Sequence, residues 1–131
     1  MDTPTTPPTE QPVRIGPIIR DVVIIVALTA IGGFVIGLAG SLNSQRGMLA
    51  IIASNLLLGT IGFIISGCLA SGNRWRHLVY VAVGVWLAGL MNLFFGINII
   101  QWLFSVIFIA LMMGLGGALS YIFRRDDRPS A

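Results

Sequence analysis

Asn55, Asn92, Gln101 and Ser105 are the polar candidates at membrane depth within the long apolar stretches. An amide at membrane depth must hydrogen-bond, and its usual partner is a neighbouring helix. The other chemistry open to these residues is a small polar or ionic path lined by amide and hydroxyl groups. Asn98, Gln101 and Ser105 share one face at the start of the last apolar segment, which suits a shallow polar vestibule or an interfacial helix face. Asp21 is the only acid touching an apolar segment and follows Arg20, so pairing or capping is its expected role. Arg74, Trp75, Arg76 and His77 form a cluster expected to hold anionic lipid headgroups.

Several chemistries are missing. No charged residue and no histidine lies in the interior of an apolar segment, where proton-coupled carriers and pumps generally need one. The single histidine has no carboxylate or thiol neighbours in the sequence with which to build a metal site. No nucleophile–base pair and no glycine-rich phosphate loop stands out. The segments between apolar runs are too short for a catalytic domain. The expectation is a non-enzymatic protein without cofactor or metal. Cys68 is the sole cysteine, which excludes an intrachain disulfide, and it reads as a small buried hydrophobe.

The elements that must carry these residues follow from composition. Of 131 residues, 56% are hydrophobic and 10% charged, whereas a soluble domain has about 25% charged residues. The net charge of +3 comes from arginine alone. The arginines lie in short clusters between apolar runs, which does not suit a nucleic-acid partner. The runs cover about 20–41, 48–70, 78–95 and 99–123. Each is long enough to cross a hydrocarbon core about 30 Å thick at about 1.5 Å per helical residue. They are continuous, not alternating, so helices are expected over a barrel. The fold class is therefore all-α, with four transmembrane helices. Residues 1–17 hold five of the six prolines and read as a disordered cytoplasmic tail. The membrane domain is 18–123, and 124–131 is a charged cytoplasmic tail. The first apolar run is too long, and too far along the chain, for a cleaved signal peptide.

Seven of the eight arginines fall in the N-terminal tail, the connection between runs two and three, and the C-terminus. These regions share one side of the membrane; the other side has only Arg46. The positive-inside rule places both termini in the cytoplasm, in a bacterial inner membrane.

Small residues explain how such helices meet. In lipid, association depends on close packing, and small side chains let backbones approach. The stretch GGFVIGLAGS (32–41) lies on a stripe at intervals of four: Thr29, Gly33, Gly37, Ser41. The second run offers Gly62, Ser66, Ala70; the third Gly84, Ala88, Asn92, Gly96; the fourth Ala110, Gly114, Ala118. Each helix is expected to pack on another through these faces. Segments 31–43 and 61–73 share I-G-x4-G-x3-S-x-N, the pattern of an inverted repeat or of chance among glycine-rich segments.

Two resemblances accompany this. GFIISGCLASGNRWRHLVYVAVG (62–84) is similar to a pattern in uncharacterised small four-helix bacterial membrane proteins, which implies architecture and no activity. NLLLGTIGFIISG (55–67) resembles the second helix of small bacterial fluoride channels, which would make Asn55 a pore residue. The chain departs from that family where GLMNLFFGIN stands in place of its Thr- and Phe-rich third-helix stretch. The expected role is a structural or accessory membrane component. The alternative is a small oligomeric channel using Asn55, Asn92, Gln101 or Ser105. Partners implied are the lipid bilayer and a homo-oligomer or larger membrane complex.

Overall fold

Without water, backbone groups must pair within their own segment, and a continuous apolar run satisfies this as a helix. The computed structural model describes residues 14–39 and 45–123. Its helices are α1 (Ile15–Leu38), α2 (Gln45–Leu69), α3 (Arg74–Ala88) and α4 (Ile99–Phe123), and α3 continues as a 3-10 stretch over Gly89–Phe95. With that continuation counted, all four are long and apolar enough to cross a membrane. The protein is an all-α integral membrane protein of four helices.

Helix α1 begins at Ile15 and takes in Gly16 and Pro17, three residues of the expected tail. Proline is tolerated in a first turn because its missing N–H would have no intrahelical partner there. Residues 1–13 of that tail, Ser41 and the tail 124–131 lie outside the described residues. The 3-10 stretch has a geometric use. As an α-helix alone, α3 would span only about 22 Å, and seven residues at about 2.0 Å each bring it to about 36 Å, close to the length of α4. Gly96, with φ +91°, then turns the chain into α4.

Contacts fix the arrangement. Helices α1 and α2 are antiparallel: Asp21 meets Ser66, Ile25 meets Gly62, and Gly32 meets Ser54 and Leu58. Helices α2 and α4 are parallel and keep one register, with Gly59 on Met112, Phe63 on Gly116 and Gly67 on Ser120. Helix α3 is antiparallel to α4, with Arg74 beside Ser120 and Trp86 beside Trp102. The order around the bundle is α1, α2, α4, α3; among the described residues α1 and α4 do not touch. Ile25, Phe63, Leu78, Val81, Ile109 and Met112 form the core. The starts of α1 and α3 and the ends of α2 and α4 make the near end of the bundle; the 3-10 stretch and the start of α4 lie at the far end.

Among the described glycines, the nearest approach to another helix's backbone is at Gly116. A Cβ there would lie 2.5 Å from Cβ of Phe63, 2.9 Å from the carbonyl oxygen of Thr60 and 3.1 Å from the amide nitrogen of Ile64. Of the expected packing residues, Gly62, Ser66 and Ala70 are buried, the first two against α1, and a Cβ on Gly84 would meet Val22. Gly37 and Ala88 are half-buried. On α1 the contact falls at Gly32, while a Cβ on Gly33 would meet nothing within 4 Å. The Thr29 hydroxyl donates to the carbonyls of Ile25 and Val26 in its own helix. On α4, Gly114 faces open space and Ala110 and Ala118 are exposed; Gly116 and Gly117 make the contact instead. The physical reason is angular. Steps of four advance about 40° around a helix, so such a stripe turns away from a neighbour that mixed steps of three and four keep in view.

Candidate functional site at the near end

Asp21 sits on the seventh residue of α1, facing the last turns of α2 and the first turn of α3. It is 1% exposed. Such a carboxylate needs donors on both oxygens, because desolvation penalises an unpaired charge. Arg20 Nε donates to Oδ1 at 2.7 Å. Ser66 Oγ donates to Oδ2 at 2.7 Å, and His77 Nε2 donates to the same oxygen at 2.9 Å. Three helices are thus tied to one side chain. The pairing with Arg20 follows the expectation for Asp21. The partner for His77 does not: read as a headgroup anchor without carboxylate neighbours, it is 15% exposed and bound to a carboxylate. Sequence adjacency cannot show this contact, since 56 residues separate the two. A signal did exist. The only acid and the only histidine of the apolar segments both stand near the starts of odd-numbered helices, and so at one end of an up-and-down bundle.

Ser66, His77 and Asp21 are the residue types of a hydrolytic triad, but the wiring differs. The carboxylate lies between hydroxyl and imidazole, so Nε2 is spent on Asp21 and does not accept from the serine. In a triad the imidazole is the hydroxyl's acceptor. The geometry here ties helices together and orients a histidine. Among the described residues, no group of three or more His, Cys, Asp or Glu side chains could hold a metal ion.

The rest of the expected headgroup cluster divides. Arg74 NH1 donates to the carbonyl oxygen of Ser120 at 3.1 Å, and its guanidinium stands 4.4 Å over the Tyr121 ring. Trp75 lays a ring edge where a Cβ on Gly117 would be 3.3 Å away. Arg76 is exposed, 5.9 Å over the Tyr80 ring. Its amide donates to Asn73, which caps α3 at the end of a connection bent at Gly72 (φ +100°). Above His77 a cavity of about 700 Å³ opens, lined by Arg14, Arg20, Asn73, Arg76, His77 and Tyr80 among others. Cys68 is exposed, against the expectation of burial: one residue beyond Gly67, it turns about 100° away from α4.

The amides of the channel alternative are not gathered. Asn92 is exposed on the 3-10 stretch. Asn98 and Gln101 form a reciprocal cap on α4: Asn98 Oδ1 accepts from the amide of Ile100, and Gln101 Oε1 accepts from the amide of Asn98. Ser105 Oγ donates to the carbonyl of Trp102. Asn55, half-buried in α2, has an Oδ1 atom that is buried without a hydrogen-bond partner among the described residues. Also at the far end, Trp86 and Trp102 stack at 4.2 Å, and each indole N–H donates to the other residue's carbonyl, at 3.3 and 3.0 Å. The pairing links residues on two helices and has no local sequence mark.

No protein-family model matches the chain, and no curated protein or solved structure does.

Proposed function

We propose that this chain is a non-enzymatic structural or accessory component of a bacterial inner membrane, with both termini in the cytoplasm, working in a homo-oligomer or a larger membrane complex. The observation that carries this reading is the seam between α2 and α4. Glycine brings the two backbones together at Gly116, and the Met112 and Ser120 side chains lie against Gly59 and Gly67 above and below it. The polar side chains nearby bond to one another, as at Asp21, or back to their own helices, as at Thr29, Thr60 and Ser105. A bundle closed in this way offers surfaces to neighbours rather than a passage between its own helices.

The small-channel reading has one observation in its favour, the unpartnered amide oxygen of Asn55. A path using it would need a second copy, because four short helices enclose little space. Reconstitution of the full chain into liposomes separates the two readings. We expect no ion or small-solute flux above that of empty vesicles, and no difference on Asn55→Ala. Flux that disappears with Asn55→Ala overturns the accessory reading.

A further inference from the structure

We propose that the near-end cavity is a phosphate site, and that in the membrane it seats the headgroup of an anionic phospholipid. Three arginines line one cavity from two helices: Arg14 and Arg20 from the start of α1, and Arg76 from the first turn of α3. Asp21, the only acid among the described residues, lies below them, closed off from solvent and already engaged by Arg20, Ser66 and His77. Among the described residues the local charge is therefore positive. Neither α1 nor α3 has an acidic residue in its first turn, so the positive ends of both helix dipoles add to the same field.

The chemistry favours phosphate. Arginine's planar fork matches phosphate oxygens, and several forks around one centre suit a tetrahedral anion with oxygens on every side. Asn73 and Tyr80 supply neutral hydrogen-bonding groups at the rim. A bare ion would fill a small part of about 700 Å³. The remaining wall includes Pro17, Ile18 and Leu69, against which the glycerol part of a lipid can lie. The cavity also stands where α1 and α3 begin and α2 ends, at the ends of helices long and apolar enough to cross a membrane, the level at which headgroups lie. This placement revises the cluster expected from sequence. Arg74 and Trp75 are turned to α4, and Arg14 and Arg20, from a different helix, take their places beside Arg76 and His77.

The test measures lipid retained by the purified full chain, by native mass spectrometry in mild detergent supplied with phosphatidylglycerol or phosphatidylcholine. We expect one phosphatidylglycerol held per chain and no comparable retention of phosphatidylcholine. Arg14→Gln and Arg76→Gln should each weaken retention about fivefold, and the double variant about thirtyfold. Arg46→Gln, at the far end, should leave it unchanged. Both substituted arginines are exposed, and the double lysine variant keeps the charges but not the forks; it should recover part of the retention, above the double glutamine variant, with unchanged thermal unfolding. Equal retention of both lipids, no effect of the double glutamine variant, or an equal loss with Arg46→Gln would overturn the site. Glycerol phosphate at millimolar concentration should not displace the lipid. Displacement would show that the site takes soluble phosphate esters and would overturn the lipid as its occupant.

Discussion

The two ends of the bundle solve one problem, holding helices together without a hydrophobic drive, by different chemistry. At the near end a buried carboxylate ties α1 to α2 and α3 through two hydrogen bonds, from Ser66 and His77, while Arg20 of its own helix holds its other oxygen. At the far end α3 and α4 are clasped by two stacked indoles that exchange hydrogen bonds with each other's backbone. The near end includes a polar cavity, so a charge there stays close to water and to arginine. The far end contains no charged residue among those described near the clasp, and neutral donors on large rings serve instead. The lesson is that depth and local polarity decide which glue is used, even within one small bundle.

The largest effect should come from breaking the carboxylate. Asp21→Ala leaves Ser66, His77 and Arg20 without their acceptor, and we expect a loss of about 3 kcal/mol in unfolding free energy in detergent. An unchanged unfolding midpoint would remove the near end from the comparison. Trp102→Ala deletes the stack and one of the two reciprocal bonds, while the indole of Trp86 keeps its backbone acceptor. About 2 kcal/mol should be lost, measured in the same way. Smallest of all should be the coupling between the two. The ends share no contact, so the double variant should depart from additivity by no more than about 0.5 kcal/mol. A larger coupling would mean that the two ends form one cooperative unit.

How much of this was legible beforehand depends on whether a feature is local. Four continuous apolar runs imply four helices whatever their neighbours are, and the helices stand close to where those runs lie, with α1 starting earlier because Pro17 fits a first turn. The adjacent pair Arg20–Asp21 was legible for the same reason. Choosing between Gly32 and Gly33, or between Gly114 and Gly116, needs the rotation of each helix about its axis. A run apolar on every side carries no amphipathic mark to set that rotation. The Asp21–His77 and Trp86–Trp102 pairs join residues far apart in the chain and become visible only when the rods are set side by side.

One thiol, on the outward flank of the penultimate residue of α2, gives this polypeptide a compass of its own. Because Cys68 has no sibling anywhere in the chain, a reagent too polar to pass lipid, added first outside and then inside sealed vesicles, reports which leaflet hosts the arginine-lined pocket. No engineered reporter has to be introduced to learn which way round the molecule sits.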